Sequence, residues 1–458
     1  MLFHTWTFGL FFLLFIAVYL GIRSTRFREP WLLISSYIFY AWWNPLYLLL
    51  IVWSTLIDYG AVRLMTRRGR RPVWLALSIL NNLFLLGFFK YGGFFAENLN
   101  LLLQAGGIGL SVPEPGVLLP VGISFYTFQS MSYTIDFYRG KIEAETSLVR
   151  FATFVSLFPQ LVAGPIERAR NLLPQIRRRP EVSARDVADG ASLFVVGLFK
   201  KVALADYLAL YVDRVYDVPD QFQAPALLLA TFLFAWQIYF DFSGYTDMAR
   251  GIGRIFGIRL MLNFNNPYLA DGLGDFWKRW HISLSTWFRD YLYIPLGGNR
   301  SGRLATYRNM ILTMLISGLW HGAAWTFVIW GALHALGRVV TRELEDTAFY
   351  RTKIPRFAKQ MMVFGFVTFA WIFFRAADLG DAVTIISRIF TAGWSDPRIP
   401  LLMPALIAAV WGYQFLFESR LRSVLESTPV RVILVAAMFL YLTLFAPSGQ
   451  QPFIYFQF

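Results

Sequence analysis

The sequence predicts an all-α, polytopic integral membrane protein, and three observations carry that expectation: scarce charge, apolar runs recurring to the last residue, and an excess of aromatic side chains. Of 458 residues, 57% are hydrophobic and 15% charged, against roughly 25% charged in an average soluble domain. That leaves too little charge to coat a soluble globule. Aromatics reach 18%, with 16 Trp and 22 Tyr, side chains that settle where acyl tails meet headgroups. The formal net charge is +14. In a soluble chain this would suggest a nucleic-acid partner, but the basic residues cluster in short loops between apolar runs and read instead as orientation signals. Cysteine is absent, so thiolate catalysis, Cys-ligated metal and disulfides are excluded, and no metal site is expected.

The elements follow in order. Phe8 to Ile22 is a 15-residue apolar run with no basic segment before it, Arg23, Arg26 and Arg28 after it and no small-x-small cleavage pattern, which predicts an uncleaved span with its N-terminus outside. Trp31 to Met65 would make a helix of about 50 Å if continuous, beyond a hydrocarbon core of ~30 Å. It must break, and Asn44-Pro45 supplies the break, because proline removes a backbone donor and disfavours helix in the residue before it. The arms of the resulting hairpin end at Arg23/Arg26/Arg28 and at Arg67/Arg68/Arg70/Arg71, both then cytoplasmic.

Further spans are expected over Val73–Phe89, Val117–Ile135, Ala191–Val212, Ala224–Tyr245, Met361–Phe374, Leu401–Phe417 and Val430–Phe445. Phe151–Ala163 is too short to span easily and reads as a re-entrant piece, which survives at membrane depth only where protein or water covers it. Between Asn309 and Gly337 the chain has basic flanks on both sides, Arg300/Arg303/Arg308 and Arg338/Arg342. If both flanks are cytoplasmic, the segment enters and returns, each arm reaching about 20 Å at helical rise, and His321 sits near the turn. In all, about 11–12 crossings with re-entrant and interfacial helices are expected, in one membrane domain over residues 1–458.

Three segments could carry chemistry. His321 lies in Gly318-Leu319-Trp320-His321-Gly322-Ala323-Ala324-Trp325. An ionisable group at membrane depth is a functional candidate because hydrocarbon penalises unpartnered polar groups. Packing through Gly318 and Gly322 explains the same residues without catalysis. A desolvated imidazole is neutral and able to accept a proton, as a general base acting on a hydroxyl must be.

Phe276–Tyr291 is the second segment. On a helical wheel Phe276, Trp277, Trp280, Leu284, Trp287, Phe288 and Tyr291 share one arc, with Lys278, Arg279, Ser283, Ser285, Arg289 and Asp290 opposite, the pattern of an interfacial helix. His281 falls at the edge of the apolar arc. The basic residues suit the phosphates of a coenzyme A or carrier-protein acyl donor; a plain amphipathic anchor fits too. In the third, Gln237, Asp241 and Tyr245 share a helix face, where the carboxylate either orients a histidine or holds the bundle together. His4 and His334 read as packing or surface residues. No serine elbow, paired carboxylates or phosphate loop appears; Gly251–Gly257 matches a glycine-rich loop only loosely.

At these residues the chain resembles the membrane-bound O-acyltransferase family, in its bacterial alginate O-acetyltransferase-like branch. The matching stretches are Leu119–Gln129, Phe158–Ile166, the Asp241 segment, the His281 segment through Pro295-Leu296-Gly297-Gly298-Asn299-Arg300, Trp320-His321-Gly322, and the closing Phe453–Phe458. All but the closing segment lie in order within a core of about Leu119 to Gly337. The resemblance implies a funnel-shaped core, His321 as the catalytic histidine and His281 as a second active-site position. Trp277, Lys278, Arg279, Trp280, Ser285, Arg289, Gln237, Asp241 and Trp320 are then candidates to bind the donor or line the site. It further implies acetyl transfer from acetyl-CoA, with no permanently bound cofactor, across the bacterial inner membrane. Extracytoplasmic partners would then modify an exported polysaccharide such as alginate, peptidoglycan or cellulose. D-alanyl transfer to teichoic acid and a non-catalytic glycan transporter are the rival readings. Paired broken helices in inverted repeats, the mark of many transporters, are not evident.

Overall fold

The computed structural model describes residues 1–395, 400–445 and 453–454. The closing segment is therefore described only at Phe453 and Ile454, and the rest of Phe453–Phe458 lies outside the described residues. The described residues form helices and no strand. Pro45–Arg68, Pro72–Ala105, Ala224–Ile255, Arg356–Arg375 and Thr428–Phe445 are long and apolar enough to cross a bilayer, and Trp6–Ile22 and Leu402–Phe417 are shorter apolar helices. The chain is a multi-pass membrane protein. It groups into two compact units, Met1–Phe194 with Thr246–Met261, and Val195–Tyr245 with Leu262–Phe458.

The first unit holds α1 (Trp6–Ile22), α2 (Arg28–Ala41), α3 (Leu48–Arg68), α4 (Pro72–Leu86), α5 (Gly92–Ala105), α6 (Ile123–Tyr138), α7 (Leu148–Ser156), α8 (Phe158–Leu161), α9 (Ala169–Arg177) and α10 (Ala184–Leu198) as far as Phe194. The expected break occurs: α2 stops at Ala41 and the Asn44 side chain accepts the Leu46 N–H at 3.0 Å as a 3-10 turn begins at Pro45. The expected span over Val73–Phe89 runs on through a π turn at Gly87–Tyr91 into α5, since no cap or proline stops it. The span expected from Val117 starts only at Ile123. Gly122 turns the chain there at φ 80°, and a Cβ on it would lie 2.7 Å from the Leu161 carbonyl oxygen.

The re-entrant piece is a pair of short helices, α7 and α8, broken at Leu157 and buried from Phe151 to Ala163. At the break the Phe158 N–H donates to Ser36 Oγ at 3.1 Å, so the interrupted backbone is covered by protein as membrane depth requires. Asp58 on α3 is fully buried and accepts hydrogen bonds from Ser78 and Asn82 of α4 and Ser130 of α6. A carboxylate so supplied ties three helices together where lipid offers no donors.

In the second unit α10 continues through a π segment, Phe199–Ala205, into α11 (Asp206–Tyr216). There follow α12 (Ala224–Ile255, in this unit to Tyr245), α13 (Leu273–Arg279), α14 (Ile282–Phe288), α15 (Arg303–His321), α16 (Trp325–Asp346), α17 (Ala348–Thr352), α18 (Arg356–Arg375), α19 (Leu379–Thr391), α20 (Leu402–Phe417), α21 (Arg422–Leu425) and α22 (Thr428–Phe445). The returning segment after Asn309 is the hairpin α15–α16, turning at Gly322–Ala324. Its arms touch backbone to backbone: a Cβ on Gly318 would lie 2.2 Å from the Phe327 carbonyl oxygen, and one on Gly331 2.5 Å from that of Met314. Glycine packing and a candidate catalytic histidine thus occupy the same turn.

Phe276–Tyr291 corrects the sequence reading. It is not one amphipathic helix but two seven-residue helices, α13 and α14, with a π segment, Arg289–Tyr293, behind them. The break falls at Trp280–His281, and Phe276, Trp280, His281, Leu284, Trp287 and Phe288 are all buried, so the apolar side packs against protein and does not lie on an interface.

Candidate active site

His281 owes its position to a short partner segment. The Ile282 N–H donates to the Asn263 carbonyl at 2.9 Å and the Ser283 N–H to Asn263 Oδ1 at 3.2 Å. The Leu284 N–H donates to His281 Nδ1 at 3.3 Å and the Ser285 N–H to the His281 carbonyl at 2.9 Å. The first three N–H groups of α14, ordinarily without intrahelical partners, thus all have acceptors, and the Ser285 N–H makes the first intrahelical bond. In return His281 takes a left-handed backbone, φ 43° and ψ 54°, and its fully buried ring packs edge-on against Phe242 at 4.6 Å between centroids.

His321 closes α15 and is 4% exposed. Its ring stands edge-on to Trp320 at 5.0 Å, Trp330 at 5.1 Å and Phe374 at 5.3 Å. Gly322 must be glycine, because a Cβ there would meet the Phe327 ring at 2.0 Å. The two imidazole centroids lie 6.5 Å apart, and Trp320 packs on both rings, 6.1 Å from His281. Forty residues apart in sequence, the two histidines share one aromatic chamber.

A cavity of about 230 Å³ adjoins this chamber, lined among others by Trp277, Lys278, Ser285, Arg289, Arg338 and Arg342. Neither imidazole lines it. Its wall reaches Ser317, one turn before His321 on α15, and Leu284 and Ser285 in the first turn of α14. Arg338 has Glu345 at 3.4 Å and Arg289 has Asp290 at 2.8 Å, so the four cations outnumber the carboxylates paired with them. A pocket with that excess and several hydroxyls suits a polyanion.

Of the candidates named from sequence, Trp277, Lys278, Ser285 and Arg289 line the cavity, and Trp320 joins the histidines. Arg279 turns away to Asp275 at 2.8 Å and Glu418 at 2.6 Å. Trp280 is 1% exposed and packs on Phe264, Phe276 and Trp371. Asp241 is in neither group: Lys201 Nζ lies 2.6 Å from Asp241 and 2.8 Å from Asp206, and Asp241 Oδ2 accepts the Ile454 N–H at 2.7 Å. Gln237, one turn before it, is buried. His334 is buried among Trp277, Trp330 and Phe366, and His4 is half-buried in the first unit.

Sequence reasoning missed Arg338, Arg342, Asn263 and Lys201. The two arginines carried a visible signal, a basic pair closing the hairpin, but it was read for orientation alone. Among the described residues no group of three or more His, Asp or Glu side chains is arranged to hold a metal ion.

The profile of MBOAT, the membrane-bound O-acyltransferase family, matches residues 112–379. A probable alginate O-acetylase of Pseudomonas aeruginosa is 43% identical over 394 residues, covering 84% of this chain and 74% of that protein. A peptidoglycan O-acetyltransferase of Helicobacter pylori is 38% identical over 394 residues, 80% of this chain and 74% of that one. A teichoic acid D-alanyltransferase of Bacillus subtilis is 29% identical over 272 residues, 55% and 67% respectively.

Proposed function

The chain belongs to the membrane-bound O-acyltransferase family, and from that premise we propose that this O-acyltransferase takes acetyl groups from acetyl-CoA at the cytoplasmic face and passes them across the bacterial inner membrane. The acceptors are hydroxyls that serve O-acetylation of an exported polysaccharide. The observation that carries this reading is a buried histidine pair 6.5 Å apart, one helical turn from a cavity with four cationic side chains.

The cations come from α13, the π segment behind α14, and the return arm of the hairpin, whose basic end the positive-inside rule assigns to the cytoplasm. Coenzyme A carries a 3′-phosphate and a diphosphate, matching that excess charge. A carrier protein's phosphopantetheine has a single phosphodiester, so the charge favours the nucleotide thioester over D-alanine on a carrier. Seated by its phosphates, the donor sends its thioester past Leu284, Ser285 and Ser317 toward the histidines.

There the acceptor hydroxyl gives its proton to His321 as its oxygen bonds to the acyl carbon, and the carbonyl electron pair moves onto oxygen. On collapse the carbon–sulfur bond breaks and the thiolate takes the proton back from the His321 imidazolium. Atoms and protons balance without a further reagent. The polymer is alginate or peptidoglycan, in line with the names of the relatives, or another exported glycan such as cellulose. Extracytoplasmic proteins receive the acetyl group and complete its delivery.

The test is direct because the chain has no cysteine, so a thiol reagent reads released coenzyme A without background. Full-length protein in detergent should release thiol from acetyl-CoA when alginate oligosaccharides are added; a wild-type rate no higher than that of His321→Ala would overturn the reading. Changing Arg338 and Arg342 together to Gln should raise KM for acetyl-CoA about 10- to 100-fold, as expected for losing charge-assisted hydrogen bonds worth about 1.5–3 kcal/mol. The same variant should leave kcat within a few-fold. S-acetyl-N-acetylcysteamine, a donor without phosphate, should be turned over equally by variant and wild type. An unchanged KM for acetyl-CoA would show that the cavity does not bind the donor's phosphates.

A further inference from the structure

Building on the acyl-transfer reading above, we infer that His281 is a hydrogen-bond donor to the acyl carbonyl oxygen and not a second base, and that Asn263 is the residue that positions it. A neutral imidazole has one N–H and one lone pair. At His281 the Nδ1 lone pair accepts the Leu284 N–H at 3.3 Å, and Leu284 is 1% exposed. A proton on Nδ1 would leave that buried N–H without an acceptor and set two donors face to face. The proton of the neutral ring therefore resides on Nε2. A ring in this state has no second lone pair with which to take a proton from a hydroxyl. It can only donate.

The backbone enforces this state. His281 and Asn266 are the only residues other than glycine with positive φ among those described. A left-handed histidine persists only where its surroundings over-determine it, and Asn263 does so with two acceptors. Its carbonyl takes the Ile282 N–H and its Oδ1 takes both the Ser283 N–H and, at 2.9 Å, the Ser283 hydroxyl. Asn263 is itself fully buried. With the first two N–H groups of α14 held there, the third falls to Nδ1. The neighbouring ring of His321, 6.5 Å away between centroids, then takes the base's part. As the thioester is attacked, the carbonyl electron pair moves onto oxygen and meets the Nε2–H of His281. That hydrogen bond strengthens without any proton leaving His281.

Two substitutions separate donor from base. Asn and Asp both tolerate the left-handed backbone and both cap helices through a side-chain oxygen. Only Asn keeps an N–H donor, and only Asp is a base. In the thiol-release assay with acetyl-CoA, His281→Asn should stay within about tenfold of wild type. His281→Asp should fall about 100- to 1,000-fold, the usual loss for one oxyanion donor, with its melting temperature in detergent kept near that of His281→Asn. His281→Asp more active than His281→Asn would overturn the inference.

If either variant fails to fold, 15N NMR of the wild-type protein labelled at histidine decides, with resonances assigned by loss in His4, His321 and His334 substitutions. His281 should show a protonated Nε2 and a bare Nδ1, and the opposite tautomer refutes the donor role. Failure of the parent reading looks different: His321→Ala would match wild type in thiol release, whatever the tautomer at His281.

Discussion

Replacing His321 with alanine is expected to lower acetyl transfer about 10³-fold, within the range of about 10²–10⁴ supplied by a general base, while the protein still enters the membrane and keeps its helical content. The expectation follows from position. His321 ends α15 at a turn that glycine packing fixes, inside a chamber walled by Trp320, Trp330 and Phe374. Only His281 joins it there among the histidines, and its lone pair is committed to capping α14. No other side chain in the chamber replaces a lost base. His321→Gln, close in size and still polar, should be as inactive as the alanine variant and more stable, which separates chemistry from packing. Both are read by thiol release from acetyl-CoA and by melting temperature in detergent. Activity in His321→Gln near the wild-type level would remove the base from His321.

The largest effect on stability is expected at Lys201→Met. Lys201 is 3% exposed and holds two carboxylates, Asp206 and Asp241, both 4% exposed or less. Removing it leaves like charges facing each other in a low-dielectric interior, and breaking a buried pair in this way typically costs about 3–5 kcal/mol. The yield of monodisperse protein from membranes and its melting temperature should both fall sharply. The triple variant Lys201→Met, Asp206→Asn, Asp241→Asn removes the charges together and should recover most of the loss, since neutral replacement of a buried ion group is often tolerated. A single variant as stable as wild type would show that the triad does not hold the unit together. The triad bears on the site because Asp241 also accepts the Ile454 N–H, and its neighbour Phe242 packs on the His281 ring.

Some of this was readable before any coordinates. Asn44-Pro45 breaks the helix because the loss of a backbone donor is a property of the residue itself. The hairpin around His321 was readable because two basic flanks and an apolar stretch of known rise leave the chain one way to run. The same reasoning failed at Phe276–Tyr291, where a sound helical wheel describes a helix that does not exist. What stops α13 is Asn263 and Asn265, pairing with Ile282, Ser283 and Arg279 from across the loop, and a wheel contains no information about a partner strand of backbone. Arg338 and Arg342 were seen and assigned only half their meaning. A basic residue at a membrane boundary orients a helix whether or not it also lines a cavity, so the second role leaves no separate mark in the sequence.

What the sequence alone determined is the solvent the chain lives in and where it turns, because hydropathy and charge act residue by residue over windows of about 20 residues. The tertiary structure decided which cations share one cavity, that Lys201 gathers two aspartates, and which nitrogen of His281 bears the proton. Those outcomes depend on atoms from distant stretches meeting within about 3 Å, where hydrogen bonds discriminate donor from acceptor, and only the packed chain brings them that close.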